Sequence, residues 1–407
     1  MHPRSMRATI APFSMWPGSL LQQKKRKRDS VTILTVMTAA GLFLGGLCAA
    51  VIGSVKLPLA RRLEMDEGRV GVLVAAFSIT FLPVVLASGW LIDHFGSKLI
   101  FALSLVGIAV GLLALAAVAN FARAIVAVVL FSVAWSALIN VVHVMIPKAF
   151  PGSVATGTNL ADVFFSLGAL LTPLLAAHMV RGDSYRNLLL LLGLFAFLAS
   201  LPCLLLRLDP GPLIEANPIS TWELFSQPHI WLCGLCLGAF GPIETTFATW
   251  TSSYLVEKGY SAKFGTRMIS GFWGSSLIAR LCVAALLAHW SVEAPLVLLL
   301  AIAATLVTGA VVFTKSRAVA PYLVVAAGLA CGPLFPTILA ILFMGFESSA
   351  HGRVVGVTLA ISNLGYTLTP ILVGFYAKRT SVQQSFLVVA LAGVLLIALG
   401  VVLNLWL

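Results

Sequence analysis

Long runs of apolar residues alternate along this chain with short breaks rich in charged residues, proline or glycine. Cutting at the breaks leaves about twelve apolar stretches: 31–56, 70–92, 99–119, 122–146, 155–180, 187–207, 229–256, 266–289, 294–313, 320–344, 354–377 and 383–406. Each is close to the ~20 residues an α-helix needs to cross the hydrocarbon core of a bilayer. The pattern predicts an all-α membrane protein of twelve transmembrane helices. The longest break, Leu208 to Pro228, carries Asp209, Pro210, Gly211, Pro212, Glu215, Pro218 and Glu223 and reads as a polar cytoplasmic linker. It divides an N-terminal six-helix bundle, 31–207, from a C-terminal one, 229–407, with a basic tail at 1–30.

The two bundles repeat each other. Ser166-Leu167-Gly168-Ala169-Leu170-Leu171-Thr172-Pro173 returns about 197 positions later as Asn363-Leu364-Gly365-Tyr366-Thr367-Leu368-Thr369-Pro370. A shift of about 196 also lays Gly71 to His94 over Arg267 to Trp290, the second stretch over the eighth. Duplication of that kind marks a membrane carrier whose pseudo-symmetric halves rock about a central site. Within the repeat, Gly168 and Gly365 are expected to let neighbouring backbones approach closely, and Asn363 is expected to belong to the same packing motif.

Composition narrows the class further. Sixty per cent of the residues are hydrophobic and 10% are charged, against roughly a quarter charged in soluble domains. The net charge of +12 comes with a cluster, Lys24-Lys25-Arg26-Lys27-Arg28, directly before the first apolar stretch. There it reads as a cytoplasmic flank touching anionic lipid rather than a nucleic-acid patch. It orients the first helix, although the loops as a whole show no excess of Lys and Arg on that side, and it predicts cytoplasmic N- and C-termini in an inner (plasma) membrane. All six cysteines lie in apolar stretches, so no disulfide framework is expected, and the lone Cys233-x-x-Cys236 has no companion pair for a metal. No phosphate-binding Gly-x-x-x-x-Gly-Lys-Ser/Thr loop occurs, and no soluble domain carries a nucleophile beside a base. The expectation is a transporter driven by a gradient, not an enzyme, with no cofactor.

Between the second and third stretches lies Gly89-Trp90-Leu91-Ile92-Asp93-His94-Phe95-Gly96-Ser97-Lys98. It resembles the cytoplasmic signature of the major facilitator superfamily, Gly-x-x-x-Asp-Arg/Lys-x-Gly-Arg/Lys-Arg/Lys, matching at Gly89, Asp93, Gly96 and Lys98. The resemblance implies that these four residues form a conformational switch, with Asp93 facing the N-terminus of the helix that starts near Arg353, where free N–H groups favour a carboxylate. Gly241-Pro242-Ile243-Glu244, Trp250, Tyr254, Gly271-Phe272-Trp273-Gly274, Ala279-Arg280-Leu281, Pro333-Leu334-Phe335-Pro336-Thr337, Asn140 and Asn159 to Pro173 are similar to the fucose/proton-symporter branch. That branch implies cargo bound between spans one, four, seven and ten. It also carries acidic groups in spans one and four, which this chain lacks.

Three ionisable residues stand deep in apolar stretches: Asp162, Glu244 and Arg280. Each costs about 2.5–3.5 kcal/mol to place there on insertion scales, so each is a functional candidate by default. At ~1.5 Å per residue, Asp162 lies ~10 Å into span five and Arg280 ~14 Å from the end of span eight. Those two spans pack together in the superfamily. Either the two residues form an ion pair that opens and closes during transport, or each caps its own polar network. Glu244, ~22 Å along span seven, is a candidate proton carrier or cargo ligand, the alternative being a structural carboxylate. Trp135, Asn140 and His143 in span four, the last two sharing a face, complete the cargo-site candidates together with the flat faces of Trp250 and Phe335.

The sequence therefore predicts a monomeric secondary transporter, embedded in the lipid bilayer, that moves a small polar, sugar-like solute together with a proton. The alternatives are an efflux carrier for hydrophobic organics and a transport-inactive scaffold or receptor on the same fold.

Overall fold

The computed structural model describes residues 17–150, 153–179, 185–205, 221–347 and 350–406. Among the described residues twelve helices are long and apolar enough to cross a membrane, and there is no strand. Spans 1 to 6 are Thr32–Arg62, Glu67–Ile92, Ser97–Ala116, Phe121–Pro147, Val154–Met179 and Arg186–Cys203. Spans 7 to 12 are Pro228–Glu257, Ala262–Leu287, Glu293–Phe313, Ala320–Met344, Arg353–Arg379 and Val382–Trp406. Large apolar side chains such as Leu103, Leu113, Leu391 and Val394 point outward, as a lipid-facing surface requires. Most of the linker expected at 208–228 lies outside the described residues, and its described end forms the short helix Thr221–Phe225.

The first span runs further than the apolar pattern implied. Its helix Pro17–Ala49 breaks at Ala50 and continues as Val51–Arg62, so Lys56, read from sequence as the end of the stretch, is buried within it. Span 2 breaks similarly at Thr80, and span 10 breaks at Gly332 and Pro333 between Ala320–Cys331 and Leu334–Met344. Pro333 has no N–H to continue the ladder, and Pro336 has none to offer the Gly332 carbonyl four residues earlier. That carbonyl is left free inside the bundle.

The duplicated motif does the same job twice. Gly168 in span 5 lies on the backbone of span 1, where a Cβ would overlap the Phe43 carbonyl oxygen and the Leu47 amide. Gly365 in span 11 lies on span 7, where a Cβ would overlap the Gly238 carbonyl. Span 5 is thus to span 1 as span 11 is to span 7, and the two six-helix bundles are pseudo-symmetric. Between the bundles, span 5 packs along span 8 and span 2 along span 11. Gly71 makes the second seam close, because its Cα faces the Pro370 carbonyl and Gly374 directly.

Gly168→Leu and Gly365→Leu should both abolish a monodisperse peak in size-exclusion chromatography, since the obstructing atoms belong to backbone that cannot step aside. Gly89→Ala should give a normal peak and an unchanged or raised melting temperature, because nothing lies within 4 Å of its Cβ position and alanine favours a helix by about 0.5–1 kcal/mol. Normal chromatography of both leucine variants would contradict these backbone contacts.

Candidate functional site

A cavity of about 160 Å³ opens on the seam between the bundles. Spans 1, 2, 4 and 5 wall one side and spans 7, 8, 10 and 11 the other. Phe77, Phe81, Trp135, Phe165, Trp273 and Phe335 supply aromatic faces, while His143, Asp162, Glu244, Arg280, Asn363 and Tyr366 supply polar groups.

Arg280 organises the polar side. Its Nε donates to the free Gly332 carbonyl at 2.7 Å, and one terminal nitrogen donates to the Asp162 carbonyl at 2.9 Å and to the Ser166 hydroxyl. The other terminal nitrogen faces two carboxylates, Asp162 Oδ2 at 3.8 Å and Glu244 Oε1 at 4.0 Å. Guanidinium geometry explains why an arginine stands here: a planar fork of five donors reaches spans 5, 7 and 10 at once, which an ammonium cannot do. Asp162 extends the row to span 4, its Oδ1 lying 3.7 Å from His143 Nε2. His143, Asp162 and Arg280 side chains are 2–3% exposed, whereas Glu244 is 17% exposed. Glu244 is therefore the least buried member of the row.

Of the residues singled out from sequence, Trp135, His143, Asp162, Glu244, Arg280 and Phe335 line the cavity. Trp135 is anchored by Nε1 on the Gly45 carbonyl at 2.9 Å, and Phe335 meets His143 edge-on at 5.4 Å. Two candidates belong elsewhere. Asn140 is fully buried behind the wall, its amide donating to the Val85 carbonyl at 3.2 Å and the Ser88 hydroxyl at 2.8 Å, so it ties span 4 to span 2. Trp250 is likewise fully buried, with Nε1 on Glu67 at 2.9 Å and Lys56 4.9 Å above its ring, so its face is taken by the protein itself. In the segment from Gly89 to Lys98, Gly96 ends a helix at φ +78°, which favours glycine. Lys98 opens the next helix, and the Asp93 side chain lies outside the described residues.

Sequence reasoning missed two features. Asn363 was assigned to helix packing, yet it stands on the cavity wall with Oδ1 unpartnered, one turn from Tyr366 on the same face. That i, i+3 polar pair inside an apolar stretch was the available signal. The second is a tie across the seam at the end where spans 1 and 7 finish. Lys56 Nζ meets Glu67 Oε2 at 2.8 Å, while Trp250 and Ser253 of span 7 each donate to the same carboxylate at 2.9 Å. Beside it Asp66 caps span 2 and pairs with Lys378 of span 11 at 2.7 Å. That ammonium, with the Arg69 backbone N–H, holds the Asp66 carboxyl below the usual carboxylate range. The contact therefore survives mild acid and is lost only as the pH falls through the lowered value. At the other end Asn159 donates to Thr337 at 3.3 Å.

Two lobes of six spans, joined along two seams with a charged cavity between them, define a transporter of the secondary class. The chain belongs to the Major Facilitator Superfamily, whose family model matches residues 37–326. Its members are transporters and not enzymes. The uncharacterized MFS-type transporter YfkL of Bacillus subtilis is 24% identical over 368 residues, 87% of this chain and 92% of that protein. The fold is also that of the E. coli fucose:proton symporter FucP, with a TM-score of 0.68 at 14% identity over 92% of this chain and 99% of that one. The nucleoside transporter NupG superimposes with a TM-score of 0.71 at 14% identity, covering 91% and 99%.

Arg280→Ala leaves two carboxylates facing each other without a cation, a loss of about 3–5 kcal/mol for a buried charge stripped of its partner. Its melting temperature in detergent should fall steeply, and Arg280→Lys, which keeps the charge but not the fork, should fall in between. A parent-like melting curve for Arg280→Ala would remove the guanidinium from its organising place.

Proposed function

We propose that this protein is a proton-coupled symporter that carries a small polar organic solute across the inner (plasma) membrane by alternating access. It acts as a monomer with cytoplasmic termini. The observation that carries the reading is the row His143, Asp162, Arg280 and Glu244, which crosses from one bundle to the other along the cavity wall. When the bundles tilt, contacts within the row are broken and remade, so cargo and proton binding act on the same equilibrium. Glu244, the row's least buried member, takes cargo hydroxyl or amino groups, or a proton. The family relationship supports secondary transport, and the fucose:proton symporter and nucleoside transporter that share the fold carry small polar molecules.

One observation favours a second reading. The six aromatic faces make most of the cavity wall apolar, which suits an exporter of hydrophobic organics.

In proteoliposomes the symport reading predicts counterflow of a polar solute, and uphill uptake when the outside is more acidic than the lumen. Glu244→Gln should keep the protein folded and abolish the dependence of uptake on the proton gradient. Uptake driven by an alkaline exterior would select the exporter. Absence of counterflow for sugars, nucleosides and amphipathic organics alike would overturn both readings.

A further inference from the structure

The geometry points to a proton-binding site made by His143 and Asp162, whose occupancy is passed to Glu244 through Arg280. His143 Nδ1 lies 2.7 Å from the Ile139 carbonyl. A carbonyl oxygen only accepts, so Nδ1 carries the hydrogen, and in the neutral ring Nε2 is a bare lone pair. That lone pair faces Asp162 Oδ1 at 3.7 Å. Both atoms are buried and neither has a hydrogen-bond partner. Two acceptors held face to face inside a membrane protein are an arrangement that a hydrogen added between them satisfies. A hydronium entering from the cavity gives its proton to Nε2 and leaves as water, and the pair becomes N–H⁺···O⁻, which draws together to about 2.7–2.9 Å.

The consequence runs down the row. Asp162 presents Oδ1 to His143 and Oδ2 to Arg280, so movement toward the imidazolium weakens its hold on the guanidinium. The same Arg280 nitrogen already lies 4.0 Å from Glu244, and it turns to that carboxylate while Nε stays on the Gly332 carbonyl. Proton uptake at His143 thereby turns Arg280 onto Glu244, and proton release returns it to Asp162. The charged or titratable groups around His143 are Asp162 from span 5, Arg280 from span 8, Glu244 from span 7 and Tyr366 from span 11. Span 10 gives the edge of Phe335, the wall residues of spans 1 and 2 do not ionise, and span 3 carries only Lys98 in its first turn.

The site rests on the proton-coupled reading for its use, but it can be tested without transport. Full-length protein carrying 15N-labelled histidine in lipid nanodiscs is followed by nitrogen NMR from about pH 8 to about pH 5, with His143 assigned by its loss in His143→Gln. His143 should begin as the Nδ1–H tautomer and become an imidazolium. In the parent protein, dipolar dephasing between its Nε2 and the Asp162 carboxyl carbon should show the two approaching by about 1 Å. Asp162→Asn, whose amide presents no anion to Nε2, should show no such approach. A ring that stays neutral across the range, an Nε2–H tautomer at the start, or an unchanged distance on protonation would each overturn the site. If these signals appear while vesicles show no proton-driven uptake, the proton site stands and the symport reading falls.

Discussion

A guanidinium buried between two lobes of a membrane protein is the constraint on which the rest of this structure depends. Arg280 is a guanidinium with almost no exposed surface, so the fold has to bring oxygen atoms to it. It does so from three spans in two bundles. A proline four residues on frees the Gly332 carbonyl, the Asp162 carbonyl turns inward, and two carboxylates stand at 3.8 and 4.0 Å. These last distances exceed those of a closed hydrogen bond. The guanidinium is therefore held firmly by backbone and loosely by charge, and the loose contacts are free to exchange.

That division of labour matches what surrounds the cavity. Along the seam of span 2 with span 11, Gly71 and Gly374 lie against backbone, so no side chain at that contact has to change rotamer when the helices tilt. At one face the seam is tied by polar contacts, Glu67 with Lys56, Trp250 and Ser253, and Asp66 with Lys378. A half-buried carboxylate satisfied by three donors is costly to break by halves and forms well as a unit. Opening that face must release Glu67 from span 7 as a whole, which favours two discrete states over a continuum.

Much of this was legible in the chain. Twelve apolar stretches and one octapeptide written twice contain the architecture, since periodicity and length are what a bilayer demands of a helix. Asp162, Glu244 and Arg280 stood out because a charge inside an apolar stretch needs a reason. The same logic misled where charge fell near an apparent end. The apolar pattern closes span 1 at Lys56, whereas the helix continues past it to Arg62 and buries it against Glu67. Trp250 and Asn140 share composition with cargo-binding residues, but which face of a helix meets a cavity depends on how neighbouring helices tilt, and no single stretch encodes that. The linker signal at 208–220 and the Asp93 side chain lie outside the described residues.

If the two bundles tilt about the Arg280 centre, one face opens as the other closes. Distances from pulsed electron–electron resonance test it directly. One spin-label pair would join Arg62 to Lys263 at the face where span 1 ends, and another would join Ser153 to Ala288 at the opposite face. Conditions that lengthen one distance should shorten the other, with two populations in each distribution. Distances that lengthen together, or a single fixed population at both faces, would contradict it.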